Sequence, residues 1–404
     1  MWEQIRSNQI KSMILVTVMG LLLLLLGYFL GLYFFDSGIG GVIMALIVWA
    51  IMTLVGFFQG DSILLAVSGA RKISQEDHPR LYNVVEEMKV ASGLEKMPDI
   101  YIIDDPTLNA FATGRDPNHA AVAITSGLLQ KLNRDELQGV IGHEISHVKN
   151  RDAMLMALAA VLLGTIVILA WYASRFMFLG GMGGGRRRGS SRDGGGGAAQ
   201  LIIIVIGVIL IILAPIMAQL IYFAISRKRE YLADASSALY TRYPEGLASA
   251  LEKLSASDVK VNRANQATAP MYIVNPFRKR GMSMSDLTST HPATEERIRI
   301  LRSMAGGASF AEYDKAYRQV HKTGKGLIPA SALTGETVSL RAARPEAVMQ
   351  EPSKIERARE TSDLMWRLSN YKTIDCECGT RLRVPSNFKA PSIRCPHCGR
   401  INQV

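Results

Sequence analysis

His143-Glu144-Ile145-Ser146-His147 sets two imidazoles four residues apart. On a helix such residues project from one face, one turn apart, so both rings can grip a single metal ion. Glu144 between them has the length to draw a proton from a metal-bound water, and zinc pulls the pKa of that water towards neutrality. The chemistry of this pattern is peptide-bond hydrolysis. Two histidines leave a zinc site short of a ligand. In Ser226 to Ala238 (SRKREYLADASSA), Glu230 and Asp234 also stand four apart. A helix there can give one carboxylate to the metal and use the other to orient a ligating histidine through its second ring nitrogen. Taken alone, this segment reads equally as a solvated, charged helix start, because Arg227, Lys228 and Arg229 adjoin it.

A second metal pattern closes the chain. All four cysteines fall in the last 29 residues, as Cys376-Glu-Cys378 and Cys395-Pro-His-Cys398, each pair followed by glycine (Gly379, Gly399). Such a set, split by a β-like segment, is the signature of a four-cysteine zinc ribbon, a closed site that folds a module without catalysing. His397, between the last two cysteines, could replace one thiolate. Disulfides are the alternative, disfavoured in a cytoplasmic compartment. Two zinc ions are therefore expected, one catalytic and one structural.

The elements that position these residues are largely membrane helices. The 404 residues are 48% hydrophobic and only 20% charged. Met13 to Phe35, Gly40 to Phe58, Met154 to Ser174 and Leu201 to Ile225 are apolar runs, and a run of this kind crosses a bilayer core of ~30 Å. The first is too long for a signal-peptide core and lacks a cleavage site. Arg6 and Lys11 precede the first pair of runs, and Arg71 and Lys72 follow it, which puts both flanks in the cytoplasm. Spans three and four then form a hairpin returning to the same side, although their Gly-rich loop (Gly180 to Gly197) carries Arg186, Arg187, Arg188 and Arg192 against the positive-inside tendency; the alternative is a hairpin that dips into the membrane without crossing it. That composition is expected to be flexible. A net charge of +11 and a pI near 9.5 suit a cytoplasmic body beside an anionic leaflet. Because the charge is spread along the chain, no nucleic-acid partner is expected.

Between residues 1 and 302 the chain resembles the HtpX-type membrane metallopeptidases, relatives of the CAAX prenyl proteases. The resemblance rests on HEISHVKNRD, a hydrophobic hairpin, then SRKREYLAD, with NAFATGRDPNHAAVAITSGLL (Asn109 to Leu129) upstream and STHPATEERI (Ser289 to Ile298) downstream. It implies His143, His147 and Glu230 as zinc ligands, Glu144 as general base and Asp234 as the carboxylate behind a ligand. It also implies that a strand edge at Asn109 and Ala110 pairs with the substrate main chain. NAFATG and AAVAITSGLL themselves read as two strands around a Gly-Arg-Asp-Pro turn, equally suited to an ordinary buried hairpin. His291 and Arg297 match the family's His-Pro…Arg arrangement, with His291 stabilising an oxyanion and Arg297 pairing with a site carboxylate. The same stretch also reads as a helix start, with Ser289 or Thr290 as cap and Pro292 in the first turn. His78, His119 and His321 lack ligand-like neighbours.

The fold expected is α+β, mostly helical: a multi-pass membrane protein with a gluzincin-like peptidase module and a small C-terminal zinc ribbon. Its parts are a transmembrane hairpin (1–58), the first half of the peptidase module (59–153), a second hydrophobic hairpin (154–225), the second half of the module (226–304), a linker with a helix from about Ser353 to Leu368 (305–370), and the ribbon (371–404). The expected function is a zinc endopeptidase of the cell (inner) membrane with its site at the cytoplasmic face, and the resemblance implies damaged or misassembled membrane proteins as its substrates. A dedicated processing protease and a membrane-anchored ribbon adaptor are the alternatives. The intact set of His143, Glu144, His147 and Glu230 argues against the adaptor, which needs no general base.

Overall fold

A computed structural model describes residues 2–183, 205, 208–209, 211–214, 216, 228–257, 273, 292–328, 330–333, 337–342 and 351–404. Helix α1 (Trp2–Phe35) turns at Asp36, which takes the left-handed conformation with φ 52°, and Ser37 caps helix α2 (Gly38–Val67) by accepting the Gly40 N–H. The two helices touch backbone to backbone. A Cβ on Gly41 would collide with the Gly27 carbonyl, so glycine is required for this close antiparallel contact. Helix α6 (Asp152–Gly183) completes the apolar layer, with Leu155, Leu158 and Leu162 packed against Met19, Leu23 and Ala45.

Among the described residues, three helical stretches are long and apolar enough to span a membrane: Val16–Phe35, Gly38–Val67 and Asp152–Tyr172. The fourth expected run, Leu201 to Ile225, lies mostly outside the described residues, as does the Arg-rich loop from residue 184 on. Within that run, Ile211 is helical and packs against Leu26 and Ala170. Helix α2 continues nine residues beyond Phe58, where the apolar run was expected to end. Gln59, Asp61 and Ser62 are polar but do not interrupt its backbone ladder. At ~1.5 Å per residue its length exceeds a bilayer core of ~30 Å. The excess carries Leu64 and Leu65 onto the peptidase module.

That module is built on a four-stranded sheet in the order β1 (Ala70–Lys72), β2 (Asp99–Ile103), β4 (Ala120–Thr125), β3 (Ala110–Gly114). Strands β2 and β4 are parallel and the outer pairings are antiparallel. Both faces are covered, which explains the unbroken apolar run of β4. One face, through Phe111, Ala121, Ala123 and Ile103, packs on Leu64 and Leu65 of α2 and Ala157 and Ala160 of α6. The other, through Ile100, Ile102, Ala112, Val122 and Ile124, meets the main core formed with α3 (Pro79–Ser92) and α5 (Arg134–Lys149). The expected strand pair around Gly-Arg-Asp-Pro is present as β3 and β4.

Short helix α4 (Ser126–Lys131), helix α7 (residues 228–241), α8 (Pro244–Ser255) and α9 (Thr294–Arg302) complete the layer around α5. His78 has a structural task here: its Nδ1 accepts the Leu81 N–H and caps α3, and burial pushes its pKa down to about 4.

The described residues of 305–370, a stretch expected to be a linker with one helix, pack on the module. Helix α10 (Phe310–His321) presents Tyr313, Ala316, Tyr317 and Val320 to the main core, one apolar stripe at helical spacing. Helix α11 (Lys354–Leu368) follows the expected bounds, begins at a Ser353–Glu356 capping box, and inserts Leu364, Met365 and Leu368. Arg71 donates to the Leu368 carbonyl at 2.9 Å and Arg367 to that of Asp77 at 2.8 Å. The ribbon follows as two hairpins, β5 (Tyr371–Asp375) with β6 (Arg381–Pro385) and β7 (Ser392–Arg394) with β8 (Ile401–Gln403). Arg381 and Arg383 pair with Asp363, tying the ribbon to α11.

Candidate active site

Helix α5 starts at a full capping box, in which Asn133 and Glu136 satisfy each other's backbone N–H. The helix then runs into the core, burying His143 and Glu144 completely. Its partner α7 carries Glu230 and Asp234, one turn apart and both buried. Gly142 lets the helices approach, because Ser237 of α7 sits over it. Nε2 of His143 lies 3.3 Å from Nε2 of His147 and 3.4 Å from Oε2 of Glu230, and Nε2 of His147 lies 3.5 Å from Oε1 of Glu230.

These separations suit a shared ion. A tetrahedral zinc site with bonds of ~2.0–2.1 Å to nitrogen and oxygen has edges of ~3.3–3.4 Å. Two imidazoles and a carboxylate are also the donor set of a zinc site that leaves a position open. Both Nδ1 atoms point away from this centre towards carboxylates. His143 Nδ1 is 3.0 Å from Asp234 Oδ1, and His147 Nδ1 is 3.4 Å from Asp152 Oδ2. Each carboxylate fixes the tautomer that leaves Nε2 free for a ligand. Asp152 was not singled out in the sequence. It opens α6, beyond the break at Arg151, and only the turn between α5 and α6 brings it back.

Arg297 of α9 is fully buried beneath the centre. Its Nε and Nη2 donate to both oxygens of Asp234 at 2.8 and 2.7 Å, Nη1 donates to the Ile273 carbonyl at 3.2 Å and lies 3.6 Å from Glu230. The expected pairing with a site carboxylate is thus made with Asp234. Burial alone would raise the Asp234 carboxyl, but the Arg297 charge together with the hydrogen bonds from Arg297 and His143 holds it below its ordinary value. Burial would likewise lower the His143 pKa, yet hydrogen bonds to Asp234 and Glu230 push it up to about 9. Without metal, the proton on His143 contributes stability present below pH ~6.5 and lost as pH rises through about 9. An incoming cation must displace that proton.

Glu144 is held above its ordinary pKa first by burial, with His143 and His147 opposing and Glu230 adding; the Ala112 N–H hydrogen-bonds to its carboxylate and lowers it. Strand β3 is the last strand of the sheet among the described residues. Asn109 is spent on the inner side: its carbonyl accepts the Thr125 N–H at 3.0 Å, and its own N–H donates to Thr125 Oγ1 at 3.0 Å. Alternation then turns the main chain of Ala110 and Ala112 outward, towards Glu144. Of the expected peptide contacts, Ala110 has its main chain on the open edge and Asn109 does not. Ala112, which the sequence reading passed over, meets Glu144 itself. His291 lies outside the described residues.

The four cysteines converge separately. Cys376 Sγ is 3.6 Å from Cys398 Sγ and Cys378 Sγ is 3.7 Å from Cys395 Sγ, with no disulfide formed. A tetrahedral site with Zn–S bonds of ~2.3 Å has edges of ~3.8 Å. Gly379 and Gly399 adopt φ 82° and 73°, the left-handed turn that folds each pair back on itself. We expect two zinc ions per chain, falling to one when Cys395 and Cys398 are both changed to serine, measured by metal analysis of the purified protein. A single zinc in the unaltered protein would contradict the assignment of two sites.

Residues 75–305 match the model of peptidase family M48. A protease HtpX homolog of Dictyoglomus thermophilum is 45% identical over 303 residues, covering 75% of this chain and 94% of the relative. One from Streptococcus pneumoniae is 44% identical over 304 residues, covering 75% and 100%. Among solved structures, the crystal structure of S. mikatae Ste24p aligns with a TM-score of 0.38 at 20% identity, covering 74% of this chain and 67% of that one. With more than half its length matched by the family and three quarters shared with such relatives, the chain belongs to peptidase family M48 and is a membrane metallopeptidase of the HtpX type.

Proposed function

We propose that the chain is a zinc endopeptidase that cuts damaged or misassembled membrane proteins where they emerge at the cytoplasmic face, as protein quality control. His143, His147 and Glu230 would hold the catalytic zinc, and the four cysteines a structural one. When bound, the catalytic ion supplies Lewis-acid polarisation of the substrate carbonyl and acidification of water. Glu144, buried and on the same helix face as the histidines, takes the proton of the attacking water and returns it to the leaving nitrogen. Asp234 and Asp152 keep the two imidazoles in the tautomer that presents Nε2. The outward main chain of β3 at Ala110 and Ala112 receives the substrate as an added strand. Of the remaining assignments, Asn109 contributes through its side chain and His291 stabilises the oxyanion.

The observation that carries the membrane part of this reading is the placement of β3. Its outward N–H at Ala112 meets the Glu144 carboxylate, while its Phe111 side chain packs with Leu64 of α2 and Ala157 of α6. A strand added there lies at the foot of the spanning helices, the first place reached by a segment leaving the bilayer. The test is cleavage in proteoliposomes of a misfolded membrane protein and of an unfolded soluble one. Cuts clustered beside span ends, with the soluble chain spared, are expected, and equal cutting of both would end the membrane-substrate reading. An epitope after Val404 should be shielded from added antibody until the cell membrane is opened.

A further inference from the structure

Outside the residues matched by the family model, one side chain reaches both helices that carry the HEISH and Glu230 groups. Val338 pairs with Ala308, and the chain runs on to Arg341. Its N–H donates to the Arg242 carbonyl at 2.9 Å and its Nε to that of Thr241 at 3.1 Å, on the closing turn of α7. Its Nη2 donates to Asp135 Oδ1 at 2.7 Å and Gln138 Oε1 at 3.1 Å, on the opening turns of α5. The guanidinium stacks over the Tyr243 ring at 4.8 Å.

Among the described residues, hydrogen bonds and ion pairs join helices α5 and α7 at three levels, besides the Lys149 ammonium over the Tyr240 ring at 5.9 Å. The first is the site itself, through His143, Asp234 and Arg297. The second is a single neutral hydrogen bond in the middle, from Ser237 Oγ to the Gly139 carbonyl at 2.7 Å. The third is Arg341 at the far ends. A helix is a stiff lever, and Asp135 lies eight residues, ~12 Å, from His143. A small splay at the far end therefore moves the imidazoles against Glu230. The planar fork holds donors on separate atoms, Nε towards α7 and Nη2 towards α5, whereas a lysine ammonium concentrates its three donors at one point.

We infer that Arg341 is a positioning residue of the peptidase site, through which the chain beyond the family module sets the spacing of the metal ligands. This rests on the reading of His143, His147 and Glu230 as those ligands. The test uses full-length protein in detergent, with Co2+ as probe, because thiolate charge-transfer absorption separates the four-cysteine site from the His/Glu site. Arg341→Met, which keeps the stem on Tyr243, is expected to weaken Co2+ at the His/Glu site by about 10-fold, the low end for residues that orient metal ligands. Cobalt at the cysteines should be unchanged. For the zinc enzyme, kcat falls several-fold with KM unchanged, and Arg341→Lys recovers less than half of either loss. Wild-type cobalt affinity and kcat in Arg341→Met overturn the inference, as does a lowered melting temperature with unchanged affinity. Should Arg341→Met fail to fold, Asp135→Ala with Gln138→Met removes the side-chain acceptors on α5 and must reproduce the same split. Glu230→Gln run in parallel tests the ligand set: unchanged cobalt at the His/Glu site there refutes that reading whatever Arg341→Met does.

Discussion

Replacing Glu144 by glutamine is expected to lower kcat by about 10³-fold, within the range contributed by a positioned acid–base group. Zinc content should stay at the wild-type level. The amide keeps the size of the carboxylate and is buried in the same place, so packing is preserved while the base is lost. Burial and the Glu230 carboxylate raise the pKa of Glu144, which makes it readier to hold a proton during the reaction. Turnover of an unfolded chain or peptide by wild type and variant decides the matter. Equal turnover would remove Glu144 from the mechanism.

The second large effect is structural. Arg297→Met should destabilise the peptidase module by about 3–5 kcal/mol, because Asp234 would remain buried without the cation that bonds both its oxygens. Since each kcal/mol shifts the midpoint of a domain of this size by ~2–4 °C, thermal unfolding in detergent should move down by about 10 °C. Changing Asp234 to leucine in the same protein removes the stranded charge, so at least half of that loss should return. Metal binding should not return, because His143 then lacks its orienting carboxylate. Additive losses in the double variant would show that the two residues do not act as a pair.

The site was legible in the sequence where its geometry is local. His143 with His147, and Glu230 with Asp234, are spaced by one helical turn, so the helix alone puts each pair on one face. The four-cysteine ribbon, the β3–β4 pair and the helix from Ser353 to Leu368 are similarly short-range patterns. Asp152 was not legible, because its contact with His147 depends on the break at Arg151 between two helices. Arg341 was hidden for the same reason at greater range: nothing local distinguishes it from other arginines of a charged stretch. The docking of α10 had a usable signal in Tyr313, Ala316, Tyr317 and Val320, outweighed by the charged composition around them. The end of α2 was misplaced because hydropathy marks where a helix is apolar, and α2 stays helical beyond that point to reach the sheet.

The proposed chemistry stands on one metal centre shared by α5 and α7, distinct from the cysteines. Anomalous scattering at the zinc edge, from crystals of the intact protein, addresses it directly. Two peaks are predicted, one among His143 Nε2, His147 Nε2 and the Glu230 carboxylate, the other among the four Sγ atoms. A peak at the cysteines with none between α5 and α7, in enzyme that still cuts, would contradict it.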